Sequence, residues 1–240
     1  MIIENNILQR YLKNVYFIAG TASAGKSAAA KMLSERYGLI LFGEDLLSRL
    51  TDDLKDIVVY SPESHEFRRH ISELRNAGAE AAELISLSRD RKVIADTNIP
   101  LDILHEISDH AHVAVILSRQ CMDAEKYYND YSESGFFTLI HENCDTDTND
   151  TVCDKLAEHF GLKQEQADRI AHYESLMQRV IHMNDGNDKQ KLLCELSDYY
   201  SSPEWKLDFA ADESGRLPKE LKRGVLSEDG LYNLLENFKR

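Results

Sequence analysis

Basic residues are in short supply. Against 42 Asp and Glu, the 240 residues carry 28 Lys and Arg, a formal net charge of −14. That balance weighs against a broad nucleic-acid or anionic-membrane surface, both of which need clustered positive charge. Room is left for a local basic pocket that holds a phosphate. Cysteine is scarce too: Cys121, Cys144, Cys153 and Cys194 are widely spaced and form no C-x-x-C pair. A zinc site or a disulfide framework is therefore not expected, and reduced thiols are. No apolar run approaches the roughly 20 residues of a membrane-spanning helix. The opening Met1-Ile2-Ile3-Glu4-Asn5-Asn6 lacks the basic start and apolar core of a secretory leader. There is no internal repeat and no low-complexity linker. The expectation is a soluble, cytoplasmic protein, long enough for one large or two small domains.

What the chain does have is one highly specific stretch. The apolar run Val15–Ala19 leads directly into Gly20-Thr21-Ala22-Ser23-Ala24-Gly25-Lys26-Ser27, a complete G-x-x-x-x-G-K-S loop, and a helical pattern from Ala28 to Tyr37 follows, stopped by Gly38. The chemistry dictates the residue types. Gly20 and Gly25 let the backbone turn tightly enough for successive N–H groups to face a polyphosphate at the positive end of the helix. Lys26 is placed to reach the β- and γ-phosphates, and Ser27 to hold Mg²⁺. The residues expected to contact the nucleotide run from Gly20 through Ala28.

Further apolar runs alternate with helical patterns. Leu39–Phe42 reads as a second strand ending in Gly43-Glu44-Asp45. Lys92–Asp96 reads as a third, broken by Thr97-Asn98-Ile99-Pro100; His112–Leu117 reads as a fourth and Phe136–Ile140 as a fifth. Carboxylates just past a strand's carboxyl end lie on the ligand-binding edge of an open α/β sheet. Asp45 is thus a candidate to orient an acceptor, with helix capping as the ordinary alternative for it and for Glu44. Asp96 is a candidate Mg²⁺ ligand, its alternative being an Asx-turn. Arg68 and Arg69, on a helical stretch from 55 to 91, could grip a substrate phosphate or lie on a solvated helix face. Arg119, directly after the fourth strand, is the candidate to offset charge on a transferring phosphate, though a surface arginine at a strand end is common. His110 and His112 read as a strand entrance, since no third metal ligand lies nearby.

The ends of the chain carry less information. Residues 1–14 read as a short helix or arm, with Ile7, Leu8, Tyr11 and Leu12 at helical spacing. The stretch from His141 to Asp150 has the composition of a polar loop on a solvent-facing rim, followed by a helix Thr151–Phe160 closed by Gly161. Residues 162–240 are helical throughout by pattern. Ala167, Ile170, Ala171, Met177, Val180 and Ile181 repeat at helical spacing, Gly186 interrupts, and Leu192, Leu193 and Leu196 resume.

Taken together, the loop at Gly20–Ser27, Asp45 after the second strand and Asp96 after the third give a chain that resembles the small P-loop kinases. That superfamily includes shikimate, gluconate, nucleoside and nucleotide kinases and zeta-toxin-like kinases. Val93–Asn98 is also similar to the third-strand segment of polynucleotide-kinase-like members, whereas the acidic balance disfavours a nucleic-acid acceptor. The resemblance covers 15 to about 160. It implies a three-layer α/β core, residues 1–161, with a mainly parallel five-stranded sheet and a helical substrate-side insertion at 46–91. The region 162–240 would be a helical appendage. It implies ATP and Mg²⁺ as cofactors and a small-molecule acceptor, with the adenine near Cys144–Asn149. The activity implied is a phosphotransferase on a hydroxyl- or phosphate-bearing metabolite, such as a nucleoside or nucleotide. Lys26, Asp45 and Arg119 would then be catalytic, Asp45, Arg68 and Arg69 would meet substrate, and Ser27 and Asp96 would serve the metal. The chain departs from the family in its lid, which offers only Arg119 and Lys126. A second reading, from another class, is an ATP-binding regulatory or interaction protein whose helical tail senses the nucleotide.

Overall fold

A computed structural model describes residues 8–43, 83–118, 131, 133–141 and 146–239. Asp45, Arg68, Arg69, Arg119, Glu44, Lys126 and nearly all of the 46–91 segment lie outside the described residues. The chain divides into two compact units, one of residues 1–35 and 39–160, the other of 36–38 and 161–240.

The first unit is α/β. Its strands are β1 (Val15–Gly20), β2 (Ile40–Phe42), β3 (Val93–Asp96), β4 (Val113–Ser118) and β5 (Phe137–His141). They form one sheet in the order β2-β3-β1-β4-β5, and every pairing is parallel. Parallel sheets are buried on both faces, which is why the central strands read as continuous apolar runs instead of alternating ones. Val15 through Ala19, Val93 through Ala95 and Val113 through Leu117 are all buried. Side chains still divide by the two-residue period of a strand. Phe17, Ala95 and Val115 share one apolar cluster with Leu84, Leu104 and Ile107. On the alternate register, Tyr16 meets Phe160, ring centroids 5.0 Å apart.

The helices of this unit are α1 (Lys26–Tyr37), α2 (Leu101–Ile107) and α3 (Thr146–His159). The Ala28-Ala29-Ala30 run favours α1, which buries Ala29, Ala30 and Leu33. It stops at Gly38, left-handed at φ 68°, where the Leu39 amide reaches back to the Ser34 carbonyl at 3.2 Å, a Schellman closure. Several sequence expectations need correction. Helix α3 begins at Thr146 and not Thr151, because an Asp/Thr/Asn-rich stretch suits a helix's first turn as well as a loop. His141 closes β5 and is 3 % exposed, so it is no part of a solvent-facing rim. Tyr11, at 58 % exposure, does not share the burial of Leu12. His110–His112 forms a 3₁₀ turn before β4.

The second unit is wholly helical: α4 (Leu162–His182), α5 (Asn187–Ser201), α6 (Pro203–Glu213), a 3₁₀ turn at Gly224–Leu226 and α7 (Glu228–Lys239). Helix α6 starts as its sequence dictates, with Pro203 in the first turn and the Ser202 hydroxyl accepting from the Trp205 amide at 3.2 Å. Its apolar core includes Ile170, Val180, Leu196, Trp205 and Leu231. Ala171 and Ile181, read from spacing as inward, are exposed. Their places on the buried face of α4 go to Gln166 and Glu174. Two of the buried carboxylates are engaged by several donors, whereas Arg216 Nη1 is buried without a partner among the described residues. Asp208, with no exposed surface, accepts from Gln166 Nε2 (2.9 Å), Arg169 Nε and Nη2 (2.9 and 2.6 Å) and Tyr199 Oη (2.8 Å). Burial and the adjoining Asp208 charge push the Tyr199 hydroxyl well above the usual tyrosine range. Glu174 accepts from the Val225 amide at 2.7 Å. Among the described residues, no helix is long and apolar enough to cross a membrane.

Candidate functional site

The strand order creates a topological switch point, the kind of place where open α/β sheets hold their ligands. The chain leaves β1 toward β2 on one side of the sheet and leaves β4 toward β5 on the other, so the two connections diverge between neighbouring strands. Such a divergence opens a crevice at the carboxyl ends of the strands. The Gly20–Ser27 loop begins there, and each of its anchors follows from the register.

Gly20 lies opposite Ile116 of β4. Its φ is 134°, and a Cβ at this position would sit 1.9 Å from the Ile116 carbonyl oxygen, so the approach of the two backbones requires glycine. Thr21 then bonds to β4 twice: its amide donates to the Ile116 carbonyl at 3.1 Å, and its hydroxyl accepts from the Ser118 amide at 2.9 Å. Ser23, at φ 58°, and Gly25, at φ 87°, turn the chain back toward α1. The first intrahelical bond runs from the Ala29 amide to the Gly25 carbonyl at 3.0 Å. The amides of Lys26, Ser27 and Ala28 are therefore first-turn donors that the helix itself does not satisfy. They carry the positive end of its dipole.

Two side chains close the arrangement. Lys26 Nζ donates to the Thr21 carbonyl at 3.2 Å, so its stem folds back across the loop it follows. The Ser27 hydroxyl donates to the Asp96 carboxylate, a short contact between residues 69 apart in sequence. Parallel pairing explains the meeting: β1 and β3 run side by side with Ile18 opposite Asp96, so both ends arrive at the same edge. Asp96 is 5 % exposed. A hydroxyl and a carboxylate side by side are two hard oxygen donors. That set suits Mg²⁺, which takes one or two protein ligands and fills the rest with phosphate oxygens and water. Thr97, next in the chain, is 2 % exposed and accepts from the Ile99 amide at 3.0 Å. Thr97 thus performs the local turn that an Asx-turn at Asp96 would have supplied.

The structure thus brings together Gly20 through Ala28 and Asp96. Asp45, Arg68, Arg69 and Arg119 fall outside the described residues, as do residues 144 and 145 of the segment Cys144–Asn149 expected to border the adenine; the rest of that segment opens α3. One participant escaped the sequence reading. His141, at the end of β5, places Nδ1 3.1 Å from the Ala24 carbonyl, 117 residues away in sequence. A Cβ on Gly25 would lie 3.3 Å from that same nitrogen. A carbonyl only accepts, so Nδ1 donates, and the bond ties the loop to the end of β5. The other ring nitrogen, Nε2, is buried without a hydrogen-bond partner. The criterion that selected Asp96, a polar residue closing an apolar strand at the ligand-binding edge, applies equally to His141.

Among the described residues, no group of three or more His, Cys, Asp or Glu is placed to hold a metal ion. His105 and His110, whose ring nitrogens are 3.0 Å apart, pack on Phe136.

Comparison with known proteins adds one finding. A family model described as a domain of unknown function, DUF4298, matches residues 162–240. It therefore covers the helical unit and none of the sheet. No curated protein and no solved structure matches the chain.

Proposed function

We propose that this chain is an ATP- and Mg²⁺-dependent phosphotransferase acting on a small hydroxyl- or phosphate-bearing metabolite. The observation that carries the reading is the Ser27–Asp96 contact at the mouth of a glycine-bounded loop between a parallel strand and a helix. The loop supplies anion-binding amides and one ammonium group; the contact supplies a cation site beside them. When bound, ATP with Mg²⁺ supplies the transferable phosphoryl group and neutralises its charge.

The protein's part is positioning and electrostatics. The amides of Gly25 through Ala28 and the Lys26 ammonium hold the triphosphate tail. Ser27 and Asp96 would hold the metal, which would neutralise charge on the phosphates beside it. Thr21 and His141 keep the loop's shape by tying it to β4 and β5. Asp45 would orient the acceptor hydroxyl and accept its proton as the new O–P bond forms and the bond from the γ-phosphorus to the departing ADP oxygen breaks; Arg68 and Arg69 would hold the acceptor, and Arg119 would offset charge on the phosphoryl group in flight.

The helical unit supports a second reading, an ATP-binding regulatory protein without metabolite kinase activity. It has its own apolar core and is the part that a family model matches, as a separable module would be. One assay separates the two. ADP release is followed across a panel of hydroxyl and phosphate metabolites, with Lys26→Ala as the control. Acceptor-dependent ADP release that Lys26→Ala abolishes supports the phosphotransferase. Tight ATP binding with no acceptor in any pool contradicts it and favours the regulatory reading.

A further inference from the structure

At the opposite end of the same sheet, where β1 and β3 begin, the segments 8–14 and 83–91 enclose a cleft of about 580 Å³. That lies within the range of about 300–1,000 Å³ typical of small-ligand sites. Its walls are held together by hydrogen bonds. The Asn14 side chain donates to the Ser88 carbonyl at 3.0 Å, and the Val93 amide donates to the Asn14 carbonyl at 2.9 Å.

Among the described residues, three cations line this cleft, Arg10, Lys13 and Arg89, and no acid does. In a chain of net charge −14 that is a local reversal of sign. It is also an unneutralised one. Lys31, Arg169, Lys189, Lys191 and Arg223 each lie within 4.0 Å of a carboxylate. Among the described residues, Arg10, Lys13 and Arg89 have no such partner. Tyr11, 58 % exposed, adds an open aromatic ring to the same wall, and the Ser86 hydroxyl lines it as well.

We infer that this cleft is a second ligand site, for nucleoside monophosphates. Two guanidinium groups and an ammonium match a phosphate dianion in charge and in the fork geometry that arginine offers. Tyr11 gives a planar base a stacking surface. The hydroxyl of Ser86 and the carbonyl oxygen of the Asn14 side chain, whose nitrogen is already engaged, remain for the sugar or the base edge. The six residues of β1 separate the cleft from the Gly20–Ser27 loop, a span of roughly 20 Å. The inference stands independently of the phosphotransferase reading.

The test is calorimetric titration with AMP, GMP, CMP and UMP, and with inorganic phosphate and adenosine as the two halves of the ligand. Lys26→Ala serves as background, so that the distant loop contributes nothing. At least one monophosphate is expected to bind, to lose affinity at about 1 M salt, where the screening length is about 3 Å, and to outbind both phosphate and adenosine. Replacing the three exposed cations together, Arg10→Ser, Lys13→Ser and Arg89→Ser, is expected to weaken binding by more than about tenfold while circular dichroism stays unchanged. Tyr11→Ala is expected to weaken the monophosphate by about tenfold and leave inorganic phosphate alone. Absence of binding by all four monophosphates overturns the proposal, as does affinity that survives the triple replacement. Equal binding of inorganic phosphate with no effect of Tyr11→Ala overturns the assignment to nucleotides.

Discussion

Asp96→Asn separates what the carboxylate does for the fold from what it does for a ligand. Asn is nearly isosteric, and its side-chain oxygen still accepts from the Ser27 hydroxyl. A hydrogen bond to a charged group contributes about 1.5–3 kcal/mol and a neutral one about 0.5–1.5, so roughly 1 kcal/mol is lost. At 5 % exposure the wild-type carboxylate is also desolvated, and removing its charge offsets part of that loss. The nucleotide-free protein should therefore change by less than about 1 kcal/mol. The liganded protein should differ more. ATP with Mg²⁺ at 100 times its dissociation constant stabilises the wild type by about 2.7 kcal/mol. Loss of one metal contact weakens affinity by tenfold or more, leaving about 1.4 kcal/mol or less at the same concentration. In a unit of this size those figures correspond to melting shifts of about 5–11 °C and about 3–6 °C respectively. Far-UV circular dichroism follows the whole chain, while emission of Trp205, the chain's only tryptophan, follows the helical unit alone, so the transition of the sheet unit can be isolated. Adding EDTA should reduce the wild-type shift to that of the variant. Equal shifts in both proteins, with Mg²⁺ and without, would refute the pairing of Ser27 and Asp96 as a metal site.

Three further outcomes follow from particular contacts. Asp208→Ala removes the acceptor of four hydrogen bonds and strands Arg169, which is 31 % exposed and partly rehydrates; unfolding in urea read by Trp205 emission should show a loss of about 3 kcal/mol, and a loss below 1 contradicts the network. His159 stacks on Phe137 and its Nε2 lies 3.0 Å from the Val113 carbonyl; burial lowers its pKa below the ordinary 6.5, so the folded chain holds fewer protons than the unfolded one as pH falls. Its stabilisation is present above pH 6.5 and lost as pH falls through the folded value, and denaturation midpoints measured across that range should be flatter in His159→Phe. For His141, Asn keeps a donor near the Nδ1 position whereas Phe leaves the Ala24 carbonyl unpaired at about 1–3 kcal/mol; ATP affinity should survive His141→Asn and fall about tenfold or more in His141→Phe.

The centre of the sheet could be read from the sequence because β1, β3 and β4 are buried on both faces. Val15–Ala19, Val93–Ala95 and Val113–Leu117 are uninterrupted apolar runs closed by turn residues, and burial on two sides leaves no alternation to mislead. The turn between β1 and α1 was equally legible, since Gly20 and Gly25 mark it and both take positive φ, 134° and 87°. Long-range polar partners were not. Ser27 and Asp96 are 69 residues apart, and Ala24 and His141 are 117 apart; only the strand order brings them together. In the helical unit the period of 3.6 suggests an apolar stripe, but Glu174 and Gln166 occupy it where Ala171 and Ile181 were expected. A charged residue on a helix reads as a solvated face unless its partner is known; Val225, which donates to Glu174, and the partners of Asp208 lie on other segments. The start of α3 was hidden for a local reason, since the residues that suit a turn are those that suit a helix's first turn.

The central claim is that the amides of residues 20–28 and the Lys26 ammonium grip a triphosphate. Hydrogen exchange resolved to short peptides, with and without ATP and Mg²⁺, tests it directly in the wild type and in Lys26→Ala. Slower exchange across residues 20–28 on adding nucleotide, absent from Lys26→Ala, is the result predicted. Exchange there that ignores the nucleotide, or that slows to the same extent in the variant, would contradict it.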